Sequence, residues 1–373
     1  MGRYESLGVP RIVNAAATLT RLGGSRMAPP VMQAMQEGAQ AFVDLDLLQQ
    51  RVGERIAELT RNEACYVSSG AAAGIALATA ACMVGTDPAG IAALPNTAPQ
   101  KDGVIVHRSH RNGYDHAIRQ VGARLLEIGM AHSTQAWELD HALDERAAAV
   151  VYFAGAHYES ASLPLADVIT MAHAKGVPVI VDAAAQIPPM SSLWHFTAEL
   201  GADVAVFSGG KGLRGPQPSG LVLGRAAIIA GCRANGSPNH SIGRPMKVGK
   251  EEILGLLAAV EWSLAQDEAA VLTEYEDSVR MWLDTLSELP FVDVERGYPS
   301  EAGQPHSRCI VHLQAESAWT RDGLVRALMR GTPAIAVGSV GEDAIALNPQ
   351  TLEPGEAEVV ADRLRALLCS PPP

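Results

Sequence analysis

The sequence contains a lysine and a carboxylate whose surroundings suggest covalent chemistry. Lys211 follows Gly209 and Gly210 and precedes Gly212, so the backbone can bend sharply and bring the amine close to a flat ligand. Asp182 lies 29 residues earlier, directly after a run of apolar residues. A carboxylate at the end of a buried strand is costly unless it meets a cation. The pair therefore predicts a site in which a nucleophilic amine lies near an anionic group.

Small residues at the end of an earlier apolar run are suited to binding an anion. A hydroxyl and closely approachable backbone N–H groups would lie where a helix begins, and the helix dipole favours negative charge there. Ordinary capping of that helix by the serine is the alternative interpretation of this motif taken alone. The hydroxyl of Ser208, just before the glycines, would complete the cradle. The residues of this predicted cradle are Ser69, Gly70, Ala71 and Ala72.

These groups together match what pyridoxal phosphate requires. The cofactor needs an amine for a Schiff base, a carboxylate that keeps its pyridine nitrogen protonated, an anion cradle for its phosphate and a flat group on which its ring can stack. Lys211 and Asp182 supply the first two groups, and the small-residue cradle supplies the third. His110, 41 residues beyond Ser69, is the candidate for stacking. Gln186, four residues after Asp182, could hydrogen-bond near the ring oxygen. We therefore predict Lys211, Asp182 and His110 as the catalytic residues.

The elements that must position these residues alternate along the chain. Between about residues 60 and 225, short apolar runs are separated by amphipathic segments of helical spacing. Continuous apolar runs are typical of strands buried on both faces, which predicts an α/β fold with a mostly parallel sheet flanked by helices. Ligands bind such sheets at the carboxyl ends of the strands, where Asp182 and Lys211 are expected. The apolar runs are 64–67, 104–106, 149–153, 177–181, 204–207 and 221–223.

The pattern divides the chain into three segments. Residues 1–45 form an arm rich in Gly, Pro and Asn, with a helix near 30–41, and are expected to pack on the small domain or on a partner subunit. Residues 46–250 form the large cofactor-binding domain. Residues 251–373 form a small C-terminal α/β domain. It begins with a long helical pattern from about 251 to 286, followed by a strand near 307–313 and helices near 320–329 and 355–368.

Composition excludes several classes of protein. The 373 residues are 47% apolar and 19% charged, which is incompatible with general disorder. The net charge of −12 argues against a nucleic-acid partner. The longest uncharged run, Gly70 to Val84, is too short to span a bilayer, and no signal peptide is visible, so we expect a cytoplasmic protein without a membrane partner. The five scattered cysteines form no C-x-x-C pair, which argues against disulfides and structural zinc.

A histidine cluster allows one other interpretation. His107, His110 and His116 lie in one segment, and three imidazoles can bind a metal ion. Only Asp115 adds a further ligand at suitable spacing. We therefore favour a role in a loop or pocket and expect no metal.

Six segments together resemble a known family, the fold-type I pyridoxal phosphate enzymes. Within that family the chain is most similar to the selenocysteine synthase-like branch, which includes the D-glucosaminate-6-phosphate ammonia lyases. The resemblance covers about residues 10 to 370, and its last two segments are the most specific. The segments are Val13–Ala16, Ser68–Gly74, His107–His116, Val181–Ala185, Phe207–Gln217 and Ile242–Glu252.

The resemblance implies a homodimer or larger assembly with active sites between subunits. It also implies that Ala184 contacts the cofactor. Asn14, Thr20, Arg244 and Lys247 would then contribute to a neighbour's site or bind substrate. The two basic residues stand beside Gly and Pro in an acidic chain, which favours an anion pocket. Pairing with acidic residues at the start of the next helix is the alternative.

The chain departs from its relatives at two points. Bacterial selenocysteine synthase has an extra N-terminal domain that handles tRNA, whereas the shared pattern here starts by Val13. A tRNA substrate is therefore not expected. Gln350 occupies the position where relatives carry an arginine before Thr-Leu. Glutamine cannot make the bidentate, charge-assisted pair that arginine makes with a carboxylate, so the usual contact to the substrate carboxylate does not carry over.

Several reactions start from the same chemistry. In a lyase, Lys211 removes the α-proton of an amino acid or amino sugar acid and a β-substituent leaves. An amino acid racemase or epimerase needs a second acid/base on the opposite ring face, for which His110, Tyr114 or Cys65 are candidates. An aminotransferase, a selenium or sulfur transferase and a non-catalytic sensor are more distant alternatives. The family resemblance, rather than any single residue, favours an ammonia lyase.

Overall fold

The computed structural model describes residues 2–97 and 101–370. These residues form twelve strands: β1 Ile12–Ala15, β2 Ala64–Ser68, β3 Gly103–His107, β4 Arg124–Ile128, β5 Ala147–Phe153, β6 Val179–Asp182, β7 Val204–Ser208, β8 Gly220–Gly224, β9 Val292–Gly297, β10 Arg308–Leu313, β11 Ala334–Val340 and β12 Ala344–Leu347.

Fifteen α-helical segments accompany these strands within the described residues. They are α1 Arg3–Ser6, α2 Pro29–Ala39, α3 Leu45–Leu59, α4 Ala71–Val84, α5 Pro88–Ala93, α6 His116–Arg119, α7 Ala136–Ala142, α8 Ala156–Glu159, α9 Leu165–Ala174, α10 Ser192–Trp194, α11 Ala226–Asn235, α12 Lys250–Leu264, α13 Glu268–Leu286, α14 Arg321–Met329 and α15 Glu356–Leu368. Within residues 2–97 and 101–370, no helix is long and apolar enough to cross a membrane.

The chain divides into two compact units, Arg26–Gln266 and Met1–Ser25 with Asp267–Pro373. The sequence places its boundaries elsewhere, after residues 45 and 250. The reason for the difference is the packing of α2 against α12. A Cβ on Gly38 would lie 3.2 Å from Leu254, and the Lys250 amine donates a hydrogen bond to the Gly38 carbonyl (2.6 Å). Both helices therefore belong to the larger unit.

The larger unit is built on a seven-stranded sheet in the order β2-β8-β7-β6-β5-β3-β4. β8 is antiparallel to both of its neighbours, and the other pairs are parallel, which confirms the mostly parallel α/β sheet. Successive residues point into two separate cores: Val204 and Val206 into one, Ala205 and Phe207 into the other. The strands are therefore buried on both faces, as continuous apolar runs predict.

One strand of this sheet was not predicted. β4 is an edge strand, and its residues Arg124 and Glu127 are exposed. It therefore lacks the continuous apolar run by which the six other strands were found.

The smaller unit contains a five-stranded sheet in the order β1-β11-β12-β10-β9. β1 pairs in parallel with β11, and the other pairs are antiparallel. The N-terminal arm thus supplies a strand to this sheet. The single helical pattern predicted from 251 to 286 is two helices, because Asp267 caps a new helix by accepting a hydrogen bond from the Ala270 N–H (3.1 Å).

Candidate active site

The carboxyl ends of three neighbouring strands define one edge of the large sheet. β6 ends at Asp182, which lies in register with Phe153, the last residue of β5. On its other side Asp182 is in register with Val206 of β7. Lys211 follows the end of β7 by three residues. The structure therefore places the predicted carboxylate at the carboxyl end of β6 and the predicted amine just beyond the carboxyl end of the adjacent strand β7.

Asp182 is buried and Lys211 is half-buried, and the two groups interact electrostatically. Burial lowers the pKa of Lys211, and the negative charge of Asp182 opposes that change. Burial likewise raises the pKa of Asp182, against a hydrogen bond from the Ala184 N–H and the charge of Lys211. The Ala184 N–H donates to Asp182 Oδ1 at 3.0 Å, so this residue orients the carboxylate through its backbone. The arrangement provides a lysine amine of reduced basicity beside a carboxylate that a cation would stabilise.

The glycines around Lys211 serve a different purpose from the one predicted. None of Gly209, Gly210 and Gly212 has a positive φ, so a sharp bend does not explain them. Instead, a Cβ on any of them would collide with a neighbouring loop: with the Ser219 hydroxyl, with the Gln217 side chain or with the Ile187 carbonyl, respectively. The glycines let the lysine loop pack directly against these loops, which fixes the position of Lys211.

The predicted anion cradle begins where β2 turns into α4. Gly70 makes this turn with φ +130°, a conformation that side chains disfavour. The Ser68 hydroxyl donates to the Gly70 carbonyl at 2.9 Å and also lies 3.3 Å from the Gly220 carbonyl. A Cβ on Gly220 would lie 2.8 Å from the Ala71 nitrogen. The Ser68 hydroxyl and the closely packed Gly220 therefore both fix the conformation of this turn.

The first turn of α4 remains open to a ligand. The N-cap position is Gly70, and no side chain caps the helix there, so capping by Ser69 is not its role. Ser69 and Ala71 are partly exposed, and Ala72 is exposed. Ser208, in the last position of β7, is also partly exposed. Uncapped backbone N–H groups and nearby hydroxyls are suited to a phosphate.

His110 is buried close to the carboxylate strand. Its Nδ1 accepts a hydrogen bond from the Phe153 N–H (3.2 Å), so the ring proton is on Nε2, and Nε2 makes no hydrogen bond of normal geometry. Burial lowers the pKa of His110 to about 3, and His107 adds to the effect. The ring centroid lies 4.6 Å from that of Tyr152. His110 is therefore a neutral ring, which argues against a role in proton transfer. Because it is also 0% exposed, its ring has no open face for the predicted stacking on a cofactor.

Gln186 bridges two of the strand ends. Its side-chain amide donates to the carbonyl of Ala154, the residue after β5, at 3.2 Å. That Gln186 bonds near a cofactor oxygen stays a prediction.

The sequence interpretation missed the segment that follows β5. Tyr158, in the short helix α8, packs against His110 with ring centroids 5.3 Å apart. Its hydroxyl accepts a hydrogen bond from the Asn112 side chain (3.2 Å). Burial raises the pKa of Tyr158, and the charge of Asp182 adds to the effect. Asp182 was identified because it is a polar residue at the carboxyl end of a buried strand. The same criterion, applied after the buried strand β5, would have pointed to the segment that contains Tyr158.

The residues implied by resemblance lie in two different units. Asn14 belongs to the smaller unit, where its side chain donates to the Ala17 carbonyl (2.9 Å) and accepts from the Ala16 N–H (3.0 Å). Thr20 is exposed in a single helical turn of the same unit.

Arg244 and Lys247 are exposed in the loop before α12 of the larger unit. Glu251 pairs with Lys250 rather than with either of them. In the smaller unit, the Gln350 N–H donates to the Asn348 side chain (2.9 Å), and its carbonyl accepts from the Tyr275 hydroxyl (3.4 Å).

The histidine cluster does not assemble a metal site. His107 and His110 lie with ring centroids 4.8 Å apart. Over residues 2–97 and 101–370, no group of three or more His, Cys, Asp or Glu side chains is placed to hold an ion. By contrast, the half-buried amine of Lys211, the buried carboxylate of Asp182 and the uncapped start of α4 fit pyridoxal phosphate.

Comparison with known proteins gives a consistent result. Residues 91–244 match the family model of the class-V aminotransferases. The chain is 33% identical to D-glucosaminate-6-phosphate ammonia lyase of Salmonella typhimurium, covering 98% of this chain and 97% of that one. It is also 33% identical to 5′-C-glycyluridine monooxygenase-decarboxylase of a Streptomyces species, covering 98% of this chain and 92% of that one. A solved structure of D-glucosaminate-6-phosphate ammonia-lyase superposes with a TM-score of 0.84 at 32% identity, covering 98% of both chains. The chain therefore belongs to the fold-type I enzymes that use pyridoxal phosphate, in the selenocysteine synthase-like branch that includes the D-glucosaminate-6-phosphate ammonia lyases.

Proposed function

We propose that the protein is an ammonia lyase that acts on an amino acid or amino sugar acid. In this reaction Lys211 takes the α-proton of the substrate onto Nζ, and the substituent on the β-carbon leaves with its bonding electron pair. The released enamine tautomerises to an imine, and water hydrolyses the imine to a 2-oxo acid and ammonia. When bound, pyridoxal phosphate draws electrons from the bond that breaks at the α-carbon. The observation that carries the proposal is the half-buried Lys211 beside Asp182: partial burial lowers the pKa of the amine, which increases its neutral, proton-accepting fraction near neutral pH.

The other residues at the sheet edge would bind and orient the cofactor. Asp182, held by the Ala184 N–H, would keep the proton on the pyridine nitrogen. The segment from Ser69 to Ala72, together with Ser208, would bind the phosphate through backbone N–H groups and hydroxyls. Gln186 would lie near the ring oxygen.

The surroundings of three side chains favour a lyase over a racemase. Cys65 is only 7% exposed, and burial raises the pKa of its thiol. Tyr114 is 61% exposed and lies in a surface turn. His110 is neutral, with a pKa of about 3, and its Nδ1 already accepts a backbone hydrogen bond. Cys65 and His110 are inaccessible and Tyr114 lies at the surface, so none of the three is the sheltered second acid/base that a racemase requires.

We further propose that the enzyme works as a homodimer or larger assembly. Phe42 is fully exposed, and Val43, Leu45 and Leu47 beside it are exposed as well. A contiguous apolar segment of this kind favours an interface. A cytoplasmic location is supported by the five cysteines, all of them free thiols, because cysteines in an oxidising compartment tend to pair.

The test is spectroscopic and chemical. The purified protein should show a visible absorption band that disappears on borohydride reduction, and mass mapping should then find the cofactor fixed to Lys211. A panel of D- and L-amino acids and amino sugar acids should include one that yields a 2-oxo acid and ammonia. Formation of the opposite enantiomer would identify a racemase, and oxygen uptake with release of carbon dioxide would identify an enzyme like the Streptomyces relative. A protein that stays colourless with added pyridoxal phosphate would overturn the proposal.

A further inference from the structure

β2 is one of the two outermost strands of the large sheet, and within the described residues it pairs only with β8. A side chain provides hydrogen bonds to its backbone on the other side. On its open side, the amide of Gln49 makes two hydrogen bonds to the backbone of a single residue, Val67. Gln49 Nε2 donates to the Val67 carbonyl at 2.7 Å, and Gln49 Oε1 accepts from the Val67 N–H at 3.0 Å. The side chain thus takes the place of a neighbouring strand for this residue.

The helix that carries Gln49 lies directly on this edge. Gln49 is 8% exposed and sits in α3, which Asp44 caps by accepting hydrogen bonds from two N–H groups of the first turn. One turn later, a Cβ on Gly53 would collide with the Cys65 carbonyl of β2. The absence of a side chain there lets the helix approach the strand closely enough for Gln49 to reach Val67. Backbone groups covered in this way have no access to water, so a hydrogen-bonding side chain is required.

The contact lies immediately before the phosphate cradle. Val67 is followed by Ser68, whose hydroxyl holds the Gly70 carbonyl, and then by Ser69 and the start of α4. An edge strand leaves the backbone N–H and C=O groups of its open side without partners from the sheet. β8 holds one side of β2, and Gln49 holds the other.

We propose that Gln49 is a positioning residue for the cofactor phosphate, acting through Val67 on the cradle of Ser69 to Ala72. This inference rests on the proposed binding of pyridoxal phosphate at that cradle. Both polar atoms of the amide are needed. Glutamate offers no donor to the Val67 carbonyl, and methionine, of similar length, leaves both backbone groups unpaired.

The experiment compares Gln49→Glu, Gln49→Met and Gln49→Asn with the wild type. Asparagine keeps both polar groups but withdraws them from Val67 by one methylene. The matched control is Gln50→Met on the same helix, since the Gln50 side chain is exposed and bonds only to Glu54 (2.9 Å) in the contacts described. Each full-length protein is stripped of cofactor and titrated with pyridoxal phosphate and with pyridoxal, which lacks the phosphate. Unfolding of the cofactor-free proteins is followed in parallel.

We expect the Gln49 variants to bind pyridoxal phosphate at least tenfold more weakly and to bind pyridoxal with unchanged affinity. The absorption maximum of the saturated variants should match the wild type, because Lys211 and Asp182 are undisturbed. A purely structural role would lower the denaturation midpoint and leave the ratio of the two affinities unchanged, which would overturn the inference. A wild-type protein that binds no pyridoxal phosphate would instead contradict the proposed function.

Discussion

At the scale of the residue, the site depends on two groups of opposite charge, the buried carboxylate of Asp182 and the half-buried amine of Lys211. Burial favours the neutral form of each group, while their mutual attraction favours the charged forms. Burial is the larger effect for both, so the pKa of Lys211 is lowered and that of Asp182 is raised. A cation beside Asp182, such as a protonated pyridine ring, would restore the carboxylate charge. The pair is therefore prepared for a ligand that brings positive charge to Asp182 and accepts a neutral amine from Lys211.

Replacement of either residue should have a distinct effect. Lys211→Ala should lower kcat by at least about 10²-fold, the usual contribution of a positioned acid/base, and should prevent borohydride from fixing the cofactor to the chain. Asp182→Asn keeps the shape but removes the charge, so the cofactor should still be fixed to Lys211 while kcat falls. Steady-state kinetics and mass mapping measure both effects. Full activity of the Lys211 variant would show that this lysine is not the base.

At the scale of the element, the end of β3 buries two histidines in fixed tautomers. His107 Nε2 accepts from the Leu163 N–H (3.3 Å), as His110 Nδ1 accepts from the Phe153 N–H (3.2 Å). Burial lowers the pKa of His107 to about 4. Both rings are therefore neutral in the folded protein and form a flat apolar support beside β5. Protonation of either ring would remove the acceptor that its backbone N–H uses.

This support should make the protein sensitive to acid. The pKa of His107 is about 4 in the folded chain against about 6.5 for an exposed histidine, so between these values only the unfolded chain binds the proton. The free energy of unfolding should therefore fall as the pH drops from about 6.5 to about 4, by about 1.4 kcal/mol per pH unit for each such histidine. His107→Leu should reduce this slope, as measured by urea denaturation between pH 5 and 7.5. His132→Leu, at an exposed histidine, serves as the control for the removal of an imidazole. Equal slopes for the wild type and the His107 variant would contradict the buried neutral ring.

At the scale of the whole molecule, apolar surface remains uncovered in the single chain. Phe42 and Val43 lie between α2 and α3, and Leu45 and Leu47 lie at the start of α3, the helix that carries Gln49. An assembly that covered this segment would also stabilise α3. Oligomerisation and the geometry of the cofactor site would then be coupled through the same helix.

A charge placed in this segment should break the assembly. Phe42→Asp should shift the molecular mass in solution towards the 39.2 kDa of one chain, because a buried carboxylate without a partner is costly at an interface. Light scattering after size-exclusion chromatography measures the mass. Trp137 is also largely exposed but lies in α7, so Trp137→Asp serves as the control and should keep the wild-type mass. If the Phe42 variant retains the wild-type mass, the interface lies elsewhere.

Sequence patterns located most of the strands of the large sheet, together with Asp182 and Lys211 at the carboxyl ends of two of them. Six of its seven strands have continuous apolar runs because both of their faces are buried. The sequence did not predict β4, because Arg124 and Glu127 of this outermost strand are exposed and interrupt its apolar pattern. Domain boundaries were less predictable. The contact between α2 and α12 joins residues more than 200 positions apart, and such a contact leaves no periodic trace in the sequence.

The sequence by itself determined the chemistry and its order along the chain. A carboxylate after one buried strand and a lysine after the next must meet at one sheet edge, because the carboxyl ends of adjacent parallel strands lie together. Only the tertiary structure decided the protonation of His110, the spatial reason for the glycines around Lys211 and the contacts of Tyr158 and Gln49. Each of these depends on burial, on close packing or on a hydrogen bond to a residue distant in the sequence. Local patterns record which residues are apolar, but they do not record which distant atoms surround them.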